Sequence, residues 1–472
     1  MRKTKIICTM GPACSDEKTI EQLCKSGMNV ARLNFSHNDH ATYKETIDII
    51  KKVREKLSLP IAILLDTKGP EYRIGTFKDN KTITLNEGDK FTFTTDNIEG
   101  DEHRVSVSYK DIVKELNKGD IILLNNGLMR FRVESTEGTE IYCVTEAGGP
   151  LSGRKSMSFP DKVLKQKYLS EQDKEDILFG LDQGVDFIAC SFVSCRQDMD
   201  DIIEFLNKNK REHMPELIAK IENRAGIENI EEICSVCSGI MIGRGDMVVE
   251  IPFEELPRIQ KELITKCRFM GKRVITATEM LESMITNIRP TRAEISDIAN
   301  AVYDGTSAIM LSGETAAGKY PVEALETMSK IAEQTEKSIH YAKRFRSADF
   351  TIKNSADAIS HATCTVSHDI GAAAIAVCTH SGITARMVSR FRPAVDIYGI
   401  ATGDFSWRRL ALSWGVTPLR SDKVNTTEEL FETVKNTVRN CANLKSGDKI
   451  VVTGGTADGK SGNTNMLKII EI

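Results

Sequence analysis

ELIAKIENRAGIENIEEICSVCSGIMIGRGD, residues 216–246, decides how the rest of the chain is read. Leu217-Ile218-Ala219 is an apolar run of the kind that forms a buried strand, yet it ends in Lys220 and Glu222. Side chains alternate along a strand, so those two groups share one side. Ile240-Met241-Ile242 is a second apolar strand, read here as running from 239 to 246 and ending in Arg244 and Asp246. Two buried strands thereby carry a cation and two carboxylates to one end of a sheet. Such an end suits a metal and a charged substrate.

Working outward, residues 5–9, 29–35 and 61–67 also read as strands, with helical patterns at 17–26 and 43–57 between them. Downstream, strands are predicted at 186–193, 273–279 and 306–313. Strands alternating with helices imply a parallel sheet. Three strands precede residue 69 and five follow residue 170, the eight that close a (β/α)8 barrel. Polar residues gather at the C-terminal strand ends: Arg32, Asn34, Asp66, Thr67, Lys220, Glu222, Asp246 and Thr278. Barrel enzymes build their active sites on that face.

Between about 69 and 160 the texture changes to short alternating segments and turn signals such as Asn125-Asn126-Gly127, which read as an inserted all-β unit. From about 344 a third unit begins. A helix is expected near 355–367 and strands at 372–379, 395–401, 449–453 and 466–470, giving a helix-flanked open sheet. The expected fold class is therefore α/β: a (β/α)8 barrel (1–68 and 161–343), an inserted small β-barrel lid (69–160) and a C-terminal open α/β domain (344–472).

Bulk properties narrow the function. The 472 residues exceed one ordinary domain, and 40% apolar with 28% charged residues describe a globular chain. A net charge of −4 gives no electrostatic case for nucleic acid or an anionic membrane. No apolar run approaches the roughly 18 residues of a membrane span, and the N-terminus lacks a signal peptide's apolar region. A cytoplasmic protein is expected. Twelve scattered cysteines suit buried free thiols in a reducing compartment. The lone C-x-x-C at Cys234 and Cys237 has no second pair for zinc and reads as helix packing.

The chemistry follows from residue type. Glu222 and Asp246 are hard oxygen ligands suited to Mg²⁺ or Mn²⁺. Surface carboxylates are the commoner fate of Asp and Glu, but both sit at the ends of apolar strands. Lys220 is either a salt-bridge lysine or, beside a metal, a stabiliser of charge developing on a substrate oxygen. Arg32 suits a phosphate or carboxylate clamp. Asn34, Ser36, Asp66 and Thr67 mix one carboxylate with neutral oxygens, a set able to hold a monovalent cation. The stretch GETAAGK (313–319) imitates a phosphate loop, but Tyr320 stands where a metal-binding Ser or Thr is required. It reads as an ordinary strand-to-helix turn.

TKIICTMGP (4–12), NVARLNFSH (29–37), LDTKGPE (65–71), AKIEN (219–223), GRGD (243–246), MLESM (280–284), RPTRAE (289–294) and MLSGET (310–315) together resemble the pyruvate kinase family. The resemblance spans essentially the whole chain in order, and the length resembles the short bacterial form. It implies phosphoryl transfer from phosphoenolpyruvate to ADP, giving pyruvate and ATP, at the last step of glycolysis. By that resemblance Arg32 binds the transferring phosphate, Glu222 and Asp246 hold Mg²⁺, and Lys220 stabilises the transition state and the enolate. Gly245, Asp246 and Thr278 hold the substrate carboxylate, while Arg73 and Lys155 reach nucleotide phosphates as the lid closes. Asn34, Ser36, Asp66 and Thr67 match the potassium ligands, and Glu71 matches the potassium-dependent branch. THSGIT (379–384) resembles the effector phosphate loop, with Thr379, Ser381 and Thr384 as its hydroxyls and a sugar phosphate or nucleotide as its ligand. A homotetramer is implied.

Some positions depart from the family pattern. Asn125-Asn126-Gly127 stands for Asp-Asp-Gly, and SMSFPD (156–161) for Gly-Val-Asn-Leu-Pro-Gly. Val248 replaces Gly, Glu279 replaces Gln and Ser194 replaces Arg. These changes bear on rate and affinity. The altered lid and Glu279 also raise a second reading, a related protein that binds phosphometabolites as a regulator with weak catalysis; a third, a barrel lyase acting on pyruvate-like enolates, would share the metal and the lysine without requiring the lid or ADP.

Overall fold

The computed structural model describes residues 2–36, 39–160, 162, 164–424, 426–441, 444–455 and 464–472. Eight parallel strands close a barrel: β1 (Lys5–Thr9), β2 (Val30–Asn34), β3 (Ala62–Asp66), β4 (Phe187–Cys190), β5 (Glu216–Ile221), β6 (Gly239–Gly243), β7 (Arg273–Ala277) and β8 (Ala308–Leu311). Each strand pairs with its neighbours in chain order, and β8 returns to β1. Alternation divides the strand residues between two cores. Ile7, Val30, Ala62, Leu64, Phe187, Ala189, Ile218, Met241, Ile275 and Met310 fill the barrel interior. Ile6, Cys8, Ala31, Ile63, Ile188 and Ile240 face the surrounding helices. Burying each such aliphatic side chain stabilises the fold by roughly 1.5–3 kcal/mol. Leu412 of the third domain joins the interior cluster, so that domain seals the base of the barrel.

Local chemistry sets the helix boundaries. In the helix Glu17–Ser26, Asp16 caps the N-terminus by accepting from the Thr19 amide, and Gly27 ends it in the left-handed region. In the helix Arg292–Asp304, Thr291 and Glu294 form a reciprocal capping box. The imitation phosphate loop is a strand-to-helix turn, as expected: the helix Gly313–Ala316 follows Ser312 directly.

The inserted unit is a seven-stranded sheet that begins at Tyr72–Arg73 and has Arg104–Ser106 at its far edge. An antiparallel bridge between Ile74 and Val107 brings the two edges together. Gly75 N donates to Ser106 O (2.7 Å) and Ser108 N to Arg73 O (2.9 Å), completing a small barrel around Phe91, Phe93 and Phe131.

The third unit is a five-stranded sheet in the order Val416–Arg420, Asp396–Ala401, Ala374–Thr379, Lys449–Gly454, Met466–Glu471, with only the last strand antiparallel. The strand Val416–Arg420 went unpredicted; it is a short edge strand interrupted by Pro418, which an edge tolerates because one N–H row faces away from the sheet.

One expectation needs correcting. The strand expected over 239–246 ends at Gly243, and residues Arg244–Glu250 form a helix. The glycines at 243 and 245 let the chain turn tightly there, so Arg244 and Asp246 sit in a helical first turn and point differently. The family-motif residue His37 and the lid residue Asp161 lie outside the described residues.

Candidate active site

At the C-terminal mouth of the barrel, β3 and β5 bring Asp66 and Lys220 together. The Lys220 ammonium lies 3.1 Å from Asp66 Oδ1 and 3.1 Å from Glu222 Oε1, and donates to Ser191 Oγ at 2.7 Å. Arg32 Nε donates to Asp66 Oδ2 at 2.6 Å, and its Nη1 donates to Thr9 Oγ1 at 2.9 Å. Phe192 N donates to Glu222 Oε2 at 2.8 Å. Asp66 and Glu222 are buried, with 0% and 2% exposure. At such depth charge must be balanced by charge.

Two cations, Arg32 and Lys220, face three carboxylates: Asp66, Glu222 and Asp246. Burial alone would push Lys220 down, but Asp66 and Glu222 outweigh it and hold the ammonium above its ordinary value. Burial would raise Asp66, yet Lys220 and Arg32 keep it below the ordinary carboxylate range. Glu222 goes the other way: burial and the neighbouring Asp246 push it up to about 7 against the pull of Lys220. Asp246 is exposed at the barrel mouth, where partial desolvation, with Glu71 and Asp66 adding to it, raises its carboxyl. The cluster is one positive charge short, and the shortfall falls on Glu222 and Asp246. Two electron-rich hard oxygens in deficit fit a divalent cation. Among the described residues no three acidic, His or Cys side chains form a metal cage. A metal here would therefore complete its shell from substrate and water.

Gly243 is required by this packing. A Cβ built there would lie 2.6 Å from Glu222 Oε1 and 2.6 Å from its Cγ. Arg244 turns under the adjacent loop. It donates to Ala277 O (3.1 Å) and Thr278 O (2.5 Å), reaches Glu279 O at 3.3 Å, and pairs with Asp297 at 2.7 Å. Thr278 (φ 69°) and Glu279 (φ 54°) are both left-handed, a costly backbone for non-glycine residues. Arg244 holds that strained loop, and Gly245 N donates to Thr278 Oγ1 at 2.9 Å.

The remaining expected residues are placed as follows. Asn34 and Asp66 are register partners on β2 and β3. Ser36 is exposed and its amide donates to Asn34 Oδ1 at 3.4 Å. Thr67 faces Ser191, whose hydroxyl donates to Thr67 O (2.6 Å) and whose amide donates to Thr67 Oγ1 (3.2 Å). Asp66 is bonded through both oxygens to Arg32 and Lys220, so these four groups do not stand as a free oxygen cage. Arg73 pairs with Glu71 at 2.5 Å and donates to Arg154 O at 2.8 Å. Lys155 is half-buried, and its carbonyl accepts from Ile74 N (3.0 Å). In the third domain Thr379 Oγ1 accepts from Gly382 N at 2.9 Å, Thr384 Oγ1 meets Thr464 Oγ1 at 2.7 Å, and Ser381 is half-buried between them.

Sequence reading missed Ser191 and Phe192. Ser191 touches Asp66, Thr67 and Lys220 at once, and Phe192 (φ 56°) presents its amide to Glu222. Their signal was position alone, directly after β4. A cleft of about 600 Å³ runs from Asp246 and Phe192 along the lid residues Tyr72 and Phe159.

A charged, carboxylate-rich mouth on a (β/α)8 barrel under a β lid is the site of an enzyme that handles a charged substrate. Comparison with known proteins specifies it further. The family described as "Pyruvate kinase, barrel domain" matches residues 1–325, and "Pyruvate kinase, alpha/beta domain" matches residues 357–470. A pyruvate kinase of Clostridium acetobutylicum is 45% identical over 99% of both chains, and one of Clostridium perfringens is 41% identical over the whole of both. One from Geobacillus stearothermophilus is 43% identical over 99% of this chain and 80% of its own. The crystal structure of a pyruvate kinase from Cryptosporidium parvum superposes with a TM-score of 0.94 at 34% identity, covering 100% of this chain and 96% of that one. The chain belongs to the pyruvate kinase family, a kinase of glycolysis built on a TIM barrel.

Proposed function

We propose that the chain moves the phosphoryl group of phosphoenolpyruvate to ADP and protonates the resulting enolate to pyruvate. The observation that carries this reading is the charge imbalance at the barrel mouth, where Lys220 and Arg32 face Asp66, Glu222 and Asp246. Phosphoryl transfer depends on positioning and on neutralising charge, and this cluster is short of positive charge until a cation arrives. Held by Glu222 and Asp246, Mg²⁺ (or Mn²⁺) would neutralise charge on substrate and phosphoryl oxygens.

Arg32, fixed by Asp66 and Thr9, clamps the phosphate. Lys220, fixed by Asp66 and Ser191, stabilises the enolate oxygen. The Gly245 and Asp246 amides with the Thr278 hydroxyl seat the substrate carboxylate, and Arg73 and Lys155 meet the nucleotide phosphates from the lid. K⁺ would be held by Asn34, Ser36, Asp66 and Thr67, the carboxylate of Asp66 supplying the negative charge.

The THSGIT loop takes a sugar-phosphate or nucleotide effector at Thr379, Ser381 and Thr384. Ile288, Ile295 and Tyr303 are exposed on and just before the helix Arg292–Asp304, a surface suited to homotetramer formation. No helix among the described residues is long and apolar enough to cross a membrane, in keeping with a cytoplasmic enzyme. The test is pyruvate formation from phosphoenolpyruvate with each component withheld in turn. Turnover should require ADP and a divalent cation together; pyruvate release without ADP would instead make the chain a phosphatase, with water taking the phosphoryl group.

A further inference from the structure

The seam between the barrel and the third domain carries buried and half-buried arginines, and several find carboxylates. Arg273 pairs with Glu216, Arg408 with Asp186 at 2.8 Å and Arg390 with Asp357 at 3.4 Å. Three others do not. Arg268 comes from the helix Leu256–Phe269, Arg344 from the helix Tyr341–Arg346, and Arg392 follows the helix Ile383–Arg390. They line one small cavity with Gly305, Tyr341, Phe345, Phe350, Phe391 and Trp414, and no acidic side chain lines it.

Their own bonds leave the charge uncompensated. Arg392 is 5% exposed, donates only to neutral oxygens (Ser389 O at 2.7 Å, Gly305 O at 2.9 Å, Ser307 Oγ at 3.0 Å) and rests 4.7 Å over the Trp414 ring. Arg344 donates to Tyr303 O at 2.5 Å. Arg268 stacks on Phe269 at 5.0 Å, and its side chain forms no hydrogen bond among the described residues. The Nε atoms of Arg268 and Arg392 are buried without partners among the described residues. Burial and mutual repulsion push both guanidinium groups below their ordinary values, Arg268 to about 10. A guanidinium does not escape by giving up its proton, and a buried charge without a counter-charge is costly. Trp414 and the carbonyls soften that cost without supplying negative charge.

We propose that a chloride-sized anion binds in this cavity between Arg268, Arg344 and Arg392. The cavity of about 10 Å³ admits one water-sized particle, which rules out nucleotides and sugar phosphates. Arg268 comes from a barrel helix, Arg344 from the helix that leads into the third domain, and Arg392 from the third domain itself, so the ion ties the two domains together at a place remote from the barrel mouth.

The experiment exchanges chloride for gluconate at fixed K⁺ and ionic strength and follows thermal unfolding of the full chain. Wild-type melting temperature should rise saturably with chloride, as for any ligand that binds only the folded state. Arg268→Gln, at a half-buried position that a glutamine can occupy, should weaken the apparent chloride affinity at least tenfold. Crystals soaked in bromide should show an anomalous peak in the cavity. Equal melting in chloride and gluconate with no bromide peak would mean that the cavity holds water only and would overturn the proposal. An unchanged chloride response in Arg268→Gln would overturn it as well, by placing the ion elsewhere.

Discussion

Replacing Gly243 with alanine adds a single methyl group, and its consequence can be worked from distances. The new Cβ would sit 2.6 Å from both Cγ and Oε1 of Glu222. Ordinary contact needs more than 3.4 Å, so the Glu222 carboxylate must retreat by roughly 0.8 Å, on the scale at which a displaced catalytic group costs about 100-fold in rate. At about 1.36 kcal/mol per tenfold, that is ~2.7 kcal/mol of lost transition-state stabilisation. The backbone at Gly243 (φ −86°) accommodates alanine, and overpacking costs the fold only about 1–3 kcal/mol. The variant should therefore stay folded at assay temperature. In a pyruvate-release assay titrated with Mg²⁺, Gly243→Ala should show turnover down about 100-fold and a higher Mg²⁺ requirement, with native circular dichroism. Turnover within threefold of wild type at unchanged Mg²⁺ requirement would refute the placement of Glu222 as a metal-holding carboxylate.

Arg244 supports the left-handed pair Thr278–Glu279 by bonds to three successive carbonyls. Arg244→Met should destabilise by about 1–3 kcal/mol through unpaired buried oxygens and lower kcat/KM roughly 10- to 100-fold as Thr278 drifts; unaltered kinetics would show that the loop holds itself. The ammonium of Lys5, buried where it donates to Val416 O at 2.7 Å, is pushed down to about 7 by burial. Between pH 7 and 10.5 the unfolded chain keeps that proton while the folded chain sheds it, so this group's contribution to stability rises with pH across that window, and below pH 7 its full cost is present. Relative to Lys5→Met, wild-type unfolding free energy should gain up to ~2.7 kcal/mol from pH 7 to pH 9; parallel pH profiles for the two proteins would count against the assignment. Exchanging K⁺ for an organic cation should cut turnover, because Glu71 is a carboxylate and brings no positive charge of its own; equal rates would remove potassium from the account.

Much of this was legible in sequence because barrel strands are buried on both faces, so a charged residue at the end of such a run is conspicuous. Lys220, Glu222, Arg32 and Asp66 announced themselves that way. Ser191 and Phe192 did not, because both fall inside the run 186–193 that reads as strand, whereas the strand ends at Cys190. The direction of Arg244 was not legible either: the helix beginning at residue 244, where a strand is expected from the apolar run, turns it beneath Thr278. The coupling of Asp66 to both Arg32 and Lys220 depends on the register of β3 against its neighbours, which side-chain pattern alone does not supply. The arginine trio is spread over 268–392 and meets only through domain packing.

The central claim is that Lys220, held between Asp66, Glu222 and Ser191, stabilises the enolate during ADP-dependent phosphoryl transfer. The direct measurement is pyruvate release from phosphoenolpyruvate with ADP, Mg²⁺ and K⁺ in wild type beside Lys220→Met, with phosphoenolpyruvate binding measured separately in both. The account predicts robust wild-type turnover and a variant that binds phosphoenolpyruvate but turns over at least ~1,000-fold more slowly, a loss of about 4 kcal/mol. A Lys220→Met enzyme retaining turnover within tenfold of wild type would contradict it.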